Sequence, residues 1–355
     1  QVFGPVTWGW CALFYSALDG GCGSGLDRAA HGDKELLPWY LQQVKDYADA
    51  NAGLRLVDWI DLHYYPQVAN VALSGDESAV TSENRLASIK SLYHPTYKEP
   101  SWIGIDNNTA VNFLPRIRAW RYTELPGARI AITEYNWGND AGLSSALAQA
   151  EVLAVFGREG VDLATRWVSP VAGSLVEGAF RMYLDYDGAD SRVNGDSIQA
   201  VSSDIDRVGA YAIDGTGTAA SKMFLLLFNK STAPEHVDAT FAANTLAGAP
   251  GPLYRLDANG LHSDGNAAPA GQALSLDLPA RTGTMVVLAK PPTSNGKLYT
   301  LPPCRVLDTR TGDAFAGPAL AHNVSRTWVF KDRCGVPAGA RAVALNLTVV
   351  GATGG

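Results

Sequence analysis

The sequence contains 355 residues, of which 46% are hydrophobic and 18% are charged, and its formal net charge is −7. This balance is typical of a globular protein with two or three domains. No apolar run approaches the roughly 20 residues that a membrane helix needs, so no membrane partner is expected. The acidic balance argues against nucleic-acid binding, which requires a concentrated basic face, and is compatible with a neutral polymer such as a polysaccharide.

The amino-terminal region, residues 1–190, alternates predicted strands with predicted helices. The strands are Val2–Thr7, Leu54–Asp61, a run through Ile130–Thr133, and Val161–Trp167. The helices are Asp33–Asn51 with Asp33 as N-cap, a segment around Glu83–Leu92, Val111–Glu124, Leu143–Glu159 and Glu177–Tyr186. Strands that alternate with helices predict parallel βα units, and four such units are half of an eight-unit barrel.

Beyond residue 190 the pattern changes. Residues 191–290 contain short alternating runs such as Met223–Phe228 and Thr284–Leu288, separated by turn residues, which is typical of a β-sandwich. Residues 291–297 have the composition of a linker. Residues 298–355 are predicted to be a partial β-rich module with strands at Thr327–Phe330 and Ala342–Val350.

The four cysteines form two local pairs, Cys11 with Cys22 and Cys304 with Cys334. This spacing predicts two short-range disulfides and a secreted product. Metal binding is the alternative, but the sequence has no Cys-x-x-Cys and its six histidines do not cluster, so no metal site is predicted.

Glu134 follows the apolar run Ile130–Thr133 directly. A carboxylate where a buried strand ends is costly unless it has a role, and parallel-strand ends carry the chemistry in α/β barrels. Glu134 is therefore the candidate catalytic residue. The alternative is a loop residue that pairs with a nearby arginine.

Aromatic and polar residues follow all four predicted strands. They are Trp8 and Trp10; His63, Tyr64 and Tyr65; Tyr135, Asn136 and Trp137; and Trp167. Sugar rings stack on aromatic rings and need convergent polar groups for their hydroxyls, so these residues predict a carbohydrate-binding cleft.

Strand alternation places Asp61, His63 and Tyr65 on one face and Leu62 and Tyr64 on the other. Either Tyr65 or His63 is expected to hydrogen-bond Glu134. Asp61 is interpreted as a buried acid that a backbone N–H or a neighbouring arginine satisfies.

Seven segments, in order, resemble glycoside hydrolase family 44. They are GPVTWGW (4–10), ALDGGCGSGLDRAAHGD (17–33), PWYLQQ (38–43), DLHYYP (61–66), AITEYNWG (131–138), FGREGVDLATRW (156–167) and AFRMYLDYDG (179–188). The resemblance covers about residues 1–290. It implies strands 5 to 8 of a (β/α)8 TIM barrel with an attached β-sandwich.

The same resemblance implies a secreted bacterial endo-β-1,4-glucanase or xyloglucanase of the retaining type. Glu134 matches the family's nucleophile. The expected partner is a β-glucan such as cellulose, carboxymethyl-cellulose or xyloglucan, and a monomer is expected. No cofactor is required. A structural calcium ion in the loop Asp19–Asp33 is left open, although this loop lacks an EF-hand pattern.

The sequence departs from the family pattern at the second carboxyl group. Related enzymes carry the general acid/base in an Asn-Glu-Pro segment after the fourth strand, and no such segment occurs here. The acid/base is therefore expected upstream of Gln1. The alternative is a carbohydrate-binding protein that uses the same aromatic cleft without catalysis.

Overall fold

A computed structural model describes residues 1–7, 9–23, 25–292, 300–310, 315–320, 326–338, 340, 342–346 and 348. The chain divides into two compact units, Gln1–Pro292 and Thr293–Gly355. The predicted boundary near residue 190 falls inside the first unit and stays a prediction. Most of the predicted linker, 291–297, lies outside the described residues.

Four parallel strands form the first sheet, in the order β1-β2-β3-β4. They are β1 (Phe3–Thr7), β2 (Trp59–Tyr64), β3 (Arg129–Tyr135) and β4 (Leu163–Arg166). The parallel βα arrangement predicted for this region is confirmed. Strand β2 lies further along the chain than predicted, because Leu54 and Leu56 are exposed and the polar-aromatic run through His63 continues the strand.

In the described residues, six α-helices alternate with these strands or follow them along the chain. They are α1 (Leu26–Ala30), α2 (Leu36–Ala50), α3 (Ala79–Ser88), α4 (Phe113–Glu124), α5 (Leu143–Glu159) and α6 (Leu175–Leu184). Helix α5 has the predicted bounds. The N-cap prediction for α2 is wrong: Glu35 is its N-cap, and Asp33 lies before the helix with φ +59°.

A bulge interrupts β3 where it pairs with both neighbours. Asp61 pairs with Ala131 and His63 pairs with Glu134, so three steps along β3 match two steps along β2. The pairing with β4 shifts in the same place. A bulge of this kind changes the direction in which side chains point. Thr133 and Glu134 are therefore not placed on opposite faces of the sheet, as they would be in a regular strand.

The carboxy-terminal part of the first unit is antiparallel, as predicted for a β-sandwich. One sheet has the order β10-β9-β12-β7-β6-β5, and the other pairs β11 with β8. The strands are β5 (Gly195–Ile198), β6 (Val208–Gly215), β7 (Lys222–Asn229), β8 (Glu235–Thr240), β9 (Gly251–Asp257), β10 (Gly260–Ala267), β11 (Ala273–Leu278) and β12 (Thr282–Ala289).

Strand β7 is buried on both faces. Met223, Leu225 and Leu227 belong to a core with Leu274 and Leu278 of the smaller sheet. The alternate residues, such as Phe224 and Phe228, belong to the core that also contains the buried residues of α5. This double burial explains the continuous apolar run in the sequence.

Both predicted disulfides, Cys11–Cys22 and Cys304–Cys334, are formed. In the second unit the predicted strand Thr327–Phe330 is wrong, since these residues have no regular structure. Residues 342–346 and 348 also form no strand, and the remainder of the predicted strand to residue 350 lies outside the described residues.

Candidate active site

Glu134 lies near the carboxyl end of β3, and its side chain is 30% exposed. The β3 bulge brings Thr133 and Glu134 to the same side, where both contact side chains of the β2 segment. Tyr135, the next residue, is fully buried in the core. A partly exposed carboxylate is thus held at the sheet edge.

Tyr65 and His63 both contact the same oxygen of Glu134. The Tyr65 hydroxyl donates to Oε2 at 2.9 Å, and Nδ1 of His63 lies 3.3 Å from it. The sequence left open which of the two residues meets Glu134, and the structure brings both to it. Burial raises the pKa of Tyr65, and the hydrogen bond to Glu134 raises it further, so the phenol remains a donor at neutral pH.

Asp61 lies deeper in the same cluster and is 2% exposed. The backbone N–H of Thr133 donates to its Oδ1 at 3.2 Å, and the Thr133 hydroxyl lies 2.9 Å from both carboxyl oxygens. The same hydroxyl is 3.1 Å from Nε2 of His63. The prediction that Asp61, His63 and Tyr65 share a face is confirmed, and a backbone N–H satisfies Asp61 as expected.

Asn136 organises the loop that follows β3. Its Oδ1 accepts from the N–H groups of Leu73 at 3.0 Å and Gly138 at 2.7 Å, and its Nδ2 donates to the carbonyl of Trp167 at 2.5 Å. Asn136 is 3% exposed, so its direct contact with a sugar has no support in the structure. Trp167, in contrast, is 48% exposed and offers a surface for stacking.

Three aromatic residues predicted to bind substrate are core residues. Tyr135 and Trp137 are 0% and 2% exposed, and Tyr64 is 6% exposed. Tyr64 packs against Phe113 and Trp137 at centroid distances of 4.7 and 5.5 Å. The Trp137 indole donates to Ser88 at 3.1 Å. Their surfaces are used in packing, and Tyr64 also lines a cleft.

That cleft opens beside His63 and Tyr65. Its other lining residues are Gly9, Trp10, Leu13, Tyr64, Gln67, Ile103 and Phe113. Trp10 is half-buried, packs edge-on against Phe14 at 4.8 Å, and has the Arg116 guanidinium 5.6 Å from its ring. Trp8 lies outside the described residues.

Trp102 and Gln67 are neighbours of the site that the sequence did not reveal. The indole of Trp102 donates to Gln67 at 3.3 Å, and Gln67 donates to the Tyr65 carbonyl at 2.8 Å. Trp102 is 38% exposed. It lies in a single π-helical turn, Trp102–Asp106, and no strand-end pattern in the sequence points to it.

The described residues contain no group of three or more His, Cys, Asp or Glu side chains that could hold a metal ion. In the loop considered for calcium, the Asp19 carboxylate accepts from the backbone N–H groups of Ser16, Asp27 and Arg28. Hydrogen bonds within the protein thus engage this carboxylate. Among the described residues, no helix is long and apolar enough to cross a membrane.

Known proteins resemble this chain in sequence and in structure. Residues 1–68 match the model of glycoside hydrolase family 44. Endoglucanase A of Paenibacillus lautus is 29% identical over 245 residues, which are 68% of this chain and 34% of that protein.

Two solved structures share the fold. CelM2, a bifunctional glucanase-xylanase from a metagenome library, has a TM-score of 0.74 and 34% identity over 81% of this chain and 55% of its own. Cel44A, a GH family 44 endoglucanase from Clostridium thermocellum, has a TM-score of 0.72 and 28% identity over 81% and 57%. These matches support glycoside hydrolase family 44 as the family of this chain. It spans about a third of the curated relative and little more than half of the two structures.

Proposed function

We propose that this chain carries the nucleophile of a retaining endo-β-1,4-glucanase, and that Glu134 is that nucleophile. The observation that carries the proposal is the pair of contacts to Oε2 of Glu134 from Tyr65 and His63. The Tyr65 hydroxyl donates to Oε2, and among the described residues no hydrogen bond engages Oε1, which leaves that oxygen for the substrate.

The reaction has two displacements. Oε1 of Glu134 attacks the anomeric carbon while an acid protonates the leaving oxygen, and water then hydrolyses the glycosyl ester. The hydroxyl of Tyr65 stabilises the carboxylate before attack and again as the ester breaks. No cofactor is needed for these steps.

A retaining mechanism requires a second carboxyl group about 5 Å from the nucleophile. The buried Asp61 is engaged by Thr133 and is unsuited to that position. We infer that strands β1–β4 are strands 5 to 8 of an eight-stranded barrel, and that the acid/base lies outside residues 1–355. Support comes from the sequential parallel strand order and from the relatives' greater length.

The proposed substrate is a β-glucan such as cellulose or xyloglucan. The exposed ring of Trp167 and the partly exposed Trp10 and Trp102 flank the site and would stack against glucosyl units. Two disulfides support action outside the cell, where such polymers occur.

The test is Glu134→Gln in the full-length enzyme, assayed by reducing-sugar release from carboxymethyl-cellulose and xyloglucan. The amide keeps the shape of the side chain and cannot attack, so we expect kcat to fall by at least about a thousandfold, or about 4 kcal/mol of barrier. Binding of the polymer is expected to persist.

Gln42→Glu serves as a control, since it changes an amide to a carboxylate on α2, away from the β3 end. Near-normal turnover by the Glu134→Gln enzyme would refute the assignment. Polymer binding without hydrolysis by the wild-type full-length protein would instead support a non-catalytic binding protein.

A further inference from the structure

We propose that Asp61, Thr133 and His63 form a proton-sharing relay that keeps a proton on Nδ1 of His63, beside Glu134. This relay is defined by those three residues, and it rests on the proposed role of Glu134 as nucleophile. Asp61 and Thr133 touch no substrate in this proposal and act as positioning residues through His63.

The geometry is a continuous chain of polar contacts. The Asp61 carboxyl meets the Thr133 hydroxyl at 2.9 Å, that hydroxyl meets Nε2 of His63 at 3.1 Å, and Nδ1 of His63 meets Oε2 of Glu134 at 3.3 Å. The His63 side chain is 11% exposed. The β3 bulge makes the chain continuous, because it turns Thr133 toward the face that carries Glu134.

Counting protons shows what the relay must hold. The relay has three contacts: Asp61 with Thr133, Thr133 with His63, and His63 with Glu134. Each contact needs one proton between its two heavy atoms to be a hydrogen bond, so the relay must carry three protons. In one arrangement Asp61 and His63 are neutral, Asp61 donates to Thr133, Thr133 donates to Nε2, and Nδ1–H donates to Glu134. In the other, Asp61 is ionised and His63 is an imidazolium.

These two arrangements interconvert without any added reactant. The Asp61 proton passes to the Thr133 oxygen as the Thr133 proton passes to Nε2 of His63. A carboxylate and an imidazolium result, and Nδ1–H points at Glu134 in both forms. Burial raises the pKa of Asp61, which favours the neutral pair.

Few other ionisable groups face the relay. Glu134 and Tyr65 complete it on one side, and β1 (Phe3–Thr7) carries no ionisable side chain. On β4, Thr165 donates to the Thr133 carbonyl, and the Arg166 guanidinium is directed at Asp140 and the Gly138 carbonyl. The loss of a relay proton is therefore governed mainly by Asp61, His63 and Glu134.

Loss of the third proton at high pH must break one of the three hydrogen bonds. With Asp61 ionised and His63 neutral, the buried Asp61 carboxylate keeps the Thr133 hydroxyl as its donor. If the single His63 proton is on Nε2, Nδ1 has none beside Glu134; if it is on Nδ1, Nε2 faces the Thr133 oxygen without one. Both outcomes weaken the support of Glu134. The relay thus predicts that attack by Glu134 declines on the alkaline side.

The experiment measures kcat/KM against pH for an aryl β-cellobioside with a dinitrophenolate leaving group, using the full-length enzyme. This leaving group departs without protonation, so the first step does not depend on the acid/base. We expect the wild type to lose activity at alkaline pH. We expect Asp61→Asn to move that decline upward by at least about one pH unit, because the amide always donates to Thr133.

Variants of Thr133 separate the relay from simple packing. Thr133→Val is expected to lower kcat/KM about tenfold or more, Thr133→Ser to restore the wild-type profile, and the exposed-helix change Thr123→Val to have no effect. In the Thr133→Val background, Asp61→Asn should no longer move the alkaline decline. An independent, additive effect of Asp61→Asn would overturn the relay.

A direct observation covers the case in which Asp61→Asn does not fold. Nitrogen-15 spectra of the wild-type enzyme labelled at histidine should show a proton on Nδ1 of His63 near neutral pH, and its absence would overturn the relay.

If Glu134→Gln hydrolyses the aryl cellobioside at a near-normal rate, the proposed function fails. An inactive Glu134→Gln enzyme with an unchanged Asp61→Asn profile would refute the relay alone.

Discussion

At the scale of single residues, the site depends on which groups converge on Oε2 of Glu134. Tyr65 and His63 come from the end of β2, whereas Glu134 comes from β3. The hydrogen bond from Tyr65 to the carboxylate contributes about 1.5–3 kcal/mol, whereas Nδ1 of His63 lies at an ion-pair distance of 3.3 Å. Tyr65 and His63 act differently. The Tyr65 phenol always carries a proton to donate, whereas His63 offers an N–H to Glu134 only when Nδ1 is protonated.

Tyr65→Phe removes the O–H donor and keeps the ring. We expect kcat to fall about tenfold to a hundredfold, the equivalent of one charge-assisted hydrogen bond. Steady-state hydrolysis of carboxymethyl-cellulose by the full-length enzyme measures this change.

Tyr122→Phe is the matched control, since Tyr122 is 81% exposed on α4. An unchanged kcat for Tyr65→Phe would mean that its hydroxyl does not support Glu134.

At the scale of elements, the loops after β2 and β3 are tied together by a buried arginine. Arg85 of α3 is fully buried and donates to Glu77 at 2.7 Å and to Ser144, in the first turn of α5, at 2.5 Å. It also donates to the carbonyls of Asn70 and Ser74. This cluster fixes the long segment between β2 and α4 against the start of α5, after the loop that follows β3.

Arg85→Met is expected to destabilise the protein by about 3–5 kcal/mol, because it leaves buried carbonyls and Glu77 without their donor. Chemical unfolding measures this change. Arg55→Met, which removes an exposed ion pair with Asp58, should cost about 1 kcal/mol or less. Equal losses for the two variants would contradict the role given to Arg85.

Much at this scale could be predicted from sequence. Periodicity predicted α5 with its bounds, and an apolar run located β3, whose residues Ile130, Ala131 and Ile132 are buried in succession. Alternation placed Asp61, His63 and Tyr65 on one face. It could not reveal the β3 bulge, since a register shift depends on pairing with two other strands, and Thr133 therefore went unnoticed.

At the scale of the whole molecule, the first unit joins a parallel sheet and a β-sandwich through shared packing. Helix α5 is buried along most of its length, and its core includes residues of β7 and β12. The change from alternating helices to short strands predicted that antiparallel strands follow the parallel sheet, but not that the two share a core. The sequence could not tell which aromatic residues face a ligand, since Trp137 and Trp167 both follow strands and only the packing distinguishes them.

The central claim is that Glu134 forms a covalent bond to the sugar. The most direct measurement is to trap the glycosyl-enzyme in the full-length protein with a 2-deoxy-2-fluoro-β-cellobioside that has a dinitrophenolate leaving group, and to locate the ester by peptide mass spectrometry. The account predicts one modified residue, Glu134. An ester on another carboxylate, or unimpeded turnover without any ester, would contradict it.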